Sequence, residues 1–169
     1  MQVLPPNKNV DDFSVRRAKS LLQEGLQAGA DGLFDKAIRL FKSSLRLNRT
    51  AEGYTNWGWA EATKGNLHVA IHQCREALRI DPEFGNAAND IGSYLFVLGD
   101  EATAISYLER AKASKNYTSR HFAMTNLGKI YRKRGNYWRA YREYTQALVE
   151  RPGDHDITNA ITELRRRLS

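Results

Sequence analysis

Cysteine is almost absent from this chain. Cys74 is the single one among 169 residues, so no disulfide forms within the chain and cysteine usage gives no sign of an oxidising compartment. Cys74 falls on the inner side of an apolar pattern, where a lone thiol reads as a small buried hydrophobe. Proline is scarce too. There are four, two of them at Pro5 and Pro6, so the body is free of helix breakers except at Pro82 and Pro152. No apolar run approaches the roughly 18 residues of a membrane span, and residues 1–10 lack the apolar core of a secretory signal. The expectation is a cytoplasmic protein with no membrane span. A phosphate loop, a glycine-rich nucleotide fingerprint and a nucleophile elbow are all missing. His68 and His72 have the i, i+4 spacing of zinc ligands, with Glu76 one turn on, but Val69 stands where a metalloprotease motif needs glutamate. They read as an exposed helix face, and His121 and His155 have no evident companions. The sequence therefore points to a protein that is not an enzyme and needs no metal or cofactor.

Charge is present, and it is uneven. The chain carries 26 Lys/Arg against 19 Asp/Glu, a net +7. Residues 120–169 hold 11 of the basic and five of the acidic groups, or +6, which leaves +1 for residues 1–119. A basic C-terminal end favours acidic partners and speeds their association at low salt.

The stretch 126–152 sets the rhythm of the rest. Leu127, Ile130 and Tyr131 mark one helical face, and Gly135-Asn136 breaks the run where a turn is needed. Ala140, Tyr141, Tyr144, Ala147 and Leu148 mark the inner face of a second helix, which Pro152 stops. The same signs recur upstream. A glycine in the first helix appears at Gly25, Gly58, Gly92 and Gly128, and a turn glycine at Gly32, Gly65, Gly99 and Gly135. An alanine follows at Ala37, Ala70, Ala104 and Ala140, then a small residue at Ser44, Ala77, Ala111 and Ala147. Each column steps by 33, 34 and 36 residues.

On these columns the chain resembles the tetratricopeptide repeat family, whose unit is a helix–turn–helix of about 34 residues. The best matches are Trp57-Gly58, Gly65-Asn66 and Pro82 in one unit, and Leu127-Gly128, Tyr131, Gly135-Asn136-Tyr137 and Pro152 in another. The first unit departs from the pattern at Ala28 and lacks a closing proline. The third also lacks one, and two extra residues precede the fourth. The expected fold is all-α, a right-handed α-solenoid of four such units with a C-terminal capping helix. Residues 1–13 read as a frayed lead-in, with Ser14 as the first N-cap. The units fall at about 14–50, 51–84, 85–118 and 119–154. Ile157, Ala160, Ile161, Leu164 and Leu168 trace one face of a last helix, 155–169, which resembles the polar cap of such solenoids.

The resemblance implies that the first helices line a concave groove that binds a peptide or partner protein. Asn56, Asp90 and Asn126 share one equivalent column of the groove face, with Thr55, Asn89 and Thr125 just before it. A ladder of amides suits an extended backbone, because each amide both donates and accepts. Asn56, Asn89 and Asn126 are the expected main-chain ligands. Lys129, Arg132 and Lys133 form a basic lobe suited to carboxylates or phosphates, beside the aromatic anchors Trp59, Phe96 and Phe122. Some relatives clamp a C-terminal carboxylate with lysine and asparagine. Leu22 and Leu26 stand at those positions here, and Thr55 and Trp59 do one unit on, so the clamp is not expected. The function implied is an interaction adaptor or scaffold for a partner of acidic character. The alternative is nucleic-acid binding through the basic end, where Tyr131, Tyr137, Trp138 and Tyr141 interleave with arginines. Self-association through 15–30 or the last helix is a further possibility.

Overall fold

The computed structural model describes residues 11–169, in which helices joined by short turns and loops are the regular structure and no strand occurs. In order they form α1 (Asp12–Ala30), α2 (Phe34–Leu47), α3 (Ala51–Thr63), α4 (Leu67–Ile80), α5 (Gly85–Val97), α6 (Glu101–Ala113), α7 (Arg120–Lys133), α8 (Tyr137–Glu150) and α9 (His155–Leu168). The pairs α1–α2, α3–α4, α5–α6 and α7–α8 pack as hairpins, and each second helix packs on the first helix of the next pair. The first helices also touch one another in succession, α1 to α3, α3 to α5 and α5 to α7, which builds the inner wall of the solenoid. α9 packs on α8 as the first helix of a fifth unit would.

Two details of the N-terminal region differ from expectation. The cap of α1 is Asp11, whose carboxylate accepts the Ser14 amide at 2.6 Å. A carboxylate satisfies a free amide and also complements the positive end of the helix dipole, so it displaces the serine, which becomes the third helical residue. α1 therefore begins inside the stretch read as lead-in, and residues 1–10 of that stretch lie outside the described residues.

The repeating columns have two physical causes, close approach at the alanines and helix glycines and backbone conformation at the turn glycines. Ala37, Ala70, Ala104 and Ala140 have no exposed surface, and neither do Ala77, Ala111 and Ala147. The turn glycines all have positive φ, from +72° at Gly135 to +87° at Gly65 and Gly99, where an L side chain is strained. At Gly92 the constraint is space. A Cβ there would stand 2.5 Å from Leu108 Cγ and 3.1 Å from the Ala104 carbonyl oxygen. Leu108 has no exposed surface, so it has nowhere to turn. Gly92→Ala is expected to cost about 1–3 kcal/mol by overpacking, read as a lower urea midpoint with an unchanged m-value. An unshifted midpoint would contradict this packing.

The extra residues before α7 are accommodated in the 114–119 connection. Tyr117 folds back, almost fully buried, against Gly85. The Ser114 hydroxyl donates to the Glu83 carbonyl at 2.7 Å, and Arg110 donates to the Pro82 carbonyl. These bonds tie the third unit to the end of the second, so the longer step leaves the stacking intact.

Candidate partner-binding groove

The wall formed by α3, α5 and α7 carries the residues singled out in the sequence, and it sorts them into three groups. Trp59 is 37% exposed. Its ring meets Phe34 edge-on at 5.9 Å and covers Gly29, where a Cβ would come within 2.5 Å of the indole. It therefore seals the first unit and shows about a third of itself to the groove.

The amides come second. Asn126 Nδ2 donates to Asn89 Oδ1 at 3.2 Å, and Asn89 Nδ2 donates to Asp90 Oδ1 at 3.3 Å. Asn89 is buried, as is Thr55, whose hydroxyl donates to the Ala51 carbonyl at 2.8 Å. At Thr55 and Asn89 the position just before the groove column is turned into the packed helices, whereas Thr125, the third member of that column, is half-buried and lines a cavity with Phe122 and Lys129. Asn89 acts as a strut that joins α5 to α7, with its carbonyl oxygen already engaged by Asn126. Asn56, Asp90 and Asn126, on the column itself, are only half-buried.

The basic lobe is the third group. Phe122, half of it exposed, lies on α7 with Thr125, Lys129 and Arg132. With Tyr144 of α8 and Ile157 and Ala160 of α9 they line a cavity of about 410 Å³, whose rim holds His121, Asp154 and Asp156. A second cavity, of about 400 Å³, is lined by Phe96, Lys129, Arg132, Lys133, Tyr137, Glu163 and Arg167. Lys129 and Arg132 belong to both, so they form the ridge between two aromatic-floored hollows.

The cations of this lobe are not equivalent. Arg132 pairs with Glu163 of α9 at 3.1 Å, and Lys133 pairs with Glu101 at 2.8 Å. Arg134, which was not singled out in the sequence, shares Glu101 at 2.7 Å. Bonds from Arg134 and Lys133 hold the Glu101 carboxyl below the usual carboxylate range. Lys133 also lies 5.3 Å from the Phe96 ring centroid, so it leans toward the third unit. Lys129 is exposed and enters no ion pair among the described residues. Burial and the nearby Arg151 push the His121 imidazole below its ordinary value, which leaves it neutral at neutral pH.

Sequence reading missed the contribution of α9. It gives Ile157 and Ala160 to one hollow, and Glu163 and Arg167 to the other. The available signal was Glu163, an acid facing away from the apolar side of a helix otherwise rich in arginine. Three of the four aromatics interleaved with arginines are engaged by them within the molecule, and Trp138 is left largely exposed. Arg139 lies over Tyr131, Arg165 over Tyr141 and Arg167 over Tyr137, at 5.4–5.9 Å. Among the described residues no cluster of His, Cys, Asp and Glu is placed to hold a metal, and no helix is long and apolar enough to cross a membrane.

Comparisons with known proteins agree with this architecture. Two family models, both described as tetratricopeptide repeat, match the chain, one over residues 22–83 and 55–118 and the other over 123–156. The TPR repeat-containing thioredoxin TTL4 of Arabidopsis thaliana is 32% identical over 101 residues, which is 58% of this chain and 14% of that protein. The chain thus spans a small part of that relative's length. Among solved structures, the Pseudomonas aeruginosa pilF protein superposes with a TM-score of 0.87 at 17% identity, over 93% of this chain and 71% of its own. PilW, a type IV pilus biogenesis factor, gives 0.80 at 16% identity, over 93% and 70%. MamA gives 0.72 at 24% identity, over 89% and 81%. At these identities the structures share the fold.

Proposed function

Since this chain belongs to the tetratricopeptide repeat family, a family of protein-interaction scaffolds, we propose that it holds an extended acidic segment of a partner protein against the α5–α7–α9 part of its concave wall. The observation that carries this reading is the ridge of Lys129 and Arg132 between two hollows floored by Phe122 and Phe96. A carboxylate of the segment would sit on the ridge in charge-assisted hydrogen bonds, and a neighbouring apolar side chain would fill a hollow. The groove is built from packed helices, so little ordering is required on binding. Asn126, whose carbonyl oxygen has no donor among the described residues, would receive a main-chain amide of the segment. Asn56 would do the same on α3, Asn89 would support Asn126, and Lys133 would extend the positive field toward α5.

The test is affinity capture from the native lysate by the wild type and by Lys129→Glu/Arg132→Glu, each with and without nuclease, with circular dichroism to confirm equal helicity. Loss of two charge-assisted contacts, each worth about 1.5–3 kcal/mol, corresponds to a fall of about a hundredfold or more in affinity. A protein retained by the wild type, lost by the variant and indifferent to nuclease is the expected result. Capture that disappears with nuclease would put nucleic acid in the partner's place. Equal capture by both forms would move the site off this ridge.

A further inference from the structure

Asp90 is a half-buried carboxylate with no cation beside it. It occupies on α5 the position that Asn56 holds on α3 and Asn126 holds on α7, and so belongs to the concave wall. Its side chain accepts one hydrogen bond, from Asn89, and it enters no ion pair among the described residues. The groups that face it offer no compensation. They are Cys74 from α4, Tyr94 from its own helix and Tyr117 from the segment before α7, and burial together with Asp90 itself pushes all three above their ordinary values. They are neutral at neutral pH and become anions if they ionise. From α7 the facing side chain is Asn126, which acts through Asn89, and no charged group of α3, α6 or α7 acts on the carboxyl. Burial accordingly drives the Asp90 carboxyl up to about 7, against the downward pull of the Asn89 bond.

Two features therefore oppose one another at this point of the groove. The amide chain from Asn126 through Asn89 aims its donors at Asp90, an arrangement that favours the negative form. The surroundings supply no positive charge, and a desolvated carboxylate without a partner is unfavourable. A cation brought by a ligand removes the conflict.

We infer that Asp90 is the seat for a basic side chain of the bound segment, a lysine ammonium or an arginine guanidinium, one repeat ahead of the lysine–arginine ridge. The inference rests on the groove reading above and adds a charge pattern to it. Packed helices lie about 8–10 Å apart and an extended chain advances about 3.3 Å per residue. The basic residue of the partner therefore precedes or follows its acidic residue by about three positions. The basic residue binds the ionised carboxylate, which is about a tenth of the population at pH 6 and about nine-tenths at pH 8 for a midpoint near 7, so affinity rises about tenfold between them.

The experiment uses the full chain and two small probes, N-acetyl-arginine amide and its uncharged citrulline counterpart. The Asp90 carboxyl carbon is followed by NMR as pH is varied. Without probe it titrates near 7. The arginine probe lowers that midpoint and shifts the Asn126 side-chain amide more strongly at pH 8 than at pH 6, citrulline does neither, and Asp90→Asn abolishes the amide response. Equal responses to the two probes, a response that survives in Asp90→Asn, or a carboxyl that titrates near its ordinary value would each overturn the inference. Such a failure with Lys129/Arg132-dependent capture intact leaves the groove reading standing. Loss of that capture dependence with the arginine response intact removes the groove reading and keeps the cation seat.

Discussion

Replacing Lys112 with methionine is expected to cost about 3–5 kcal/mol, a large share of the roughly 5–15 kcal/mol that holds a domain together. The reason lies in an asymmetric ion pair that joins the third unit to the fourth. Lys112 Nζ on α6 donates to both oxygens of Glu143 on α8, at 3.1 and 3.0 Å. The Glu143 side chain is 1% exposed, and its next cation, Arg142, is 3.8 Å away. Lys112 is better placed to survive alone, being 21% exposed with Glu109 at 2.8 Å. Removing the lysine strands a buried carboxylate, whereas removing the carboxylate leaves a lysine with another partner and water. Glu143→Gln keeps the volume and still accepts from Lys112, so it is expected to cost about 1 kcal/mol. Lys112→Met with Glu143→Leu should recover most of the loss, because two apolar groups of similar size replace two desolvated charges. Chemical denaturation of the four proteins gives the comparison. Equal costs for the two single variants would show that Glu143 reaches water or a second cation.

That pair also marks what the sequence could and could not reveal. The fold was legible because each repeating residue answers a local requirement. Gly65 supplies a left-handed turn, Ala70 permits close packing, and Pro82 follows a helix end, each within one unit. Lys112 and Glu143 are 31 positions apart, and an exposed glutamate on α8 would have looked the same in the sequence. Glu61 is a similar case. It is nearly buried, and it accepts from Trp57 Nε1 at 3.0 Å and from Asn66 Nδ2 at 2.9 Å. It takes up a place where the fourth unit has Tyr131, and hydrophobic periodicity carries no sign of the two donors that make it acceptable there.

The candidate site was legible to a lesser degree, for a geometric reason. A helical column fixes which residues share a face, but one position amounts to about 100° of rotation. That single step separates Asn126, which is half-buried on the groove, from Asn89, which is buried as a strut. The identity of the residues gave no warning, since both are asparagines in adjacent columns. Cations behave likewise. Lys129, Arg132 and Lys133 are equally basic in the sequence, and the unequal result comes from Glu163 and Glu101, which reach them from other helices.

Leu164→Ala should produce the second large effect, and it links the end of the solenoid to the groove. Leu164 has no exposed surface, and with Ile157 and Ile161 it seats α9 in the core that includes Tyr144 and Ala147. Such a truncation costs about 2–5 kcal/mol. In a linear stack each unit leans on its neighbours alone, so the loss falls on the terminal interface. Amide hydrogen exchange should accelerate in α9 first and α8 next, while α1 to α4 keep their protection. Uniform acceleration across all the helices would show that the stack melts as a single unit. The same substitution reaches the proposed partner site, because α9 supplies Ile157 and Ala160 to one hollow and Glu163, the counter-ion of Arg132, to the other. Partner capture should therefore weaken at temperatures where circular dichroism still reports most of the helix. If capture persists while α9 exchanges freely, the last helix is a cap alone, and the ridge of Lys129 and Arg132 acts without the wall that α9 provides.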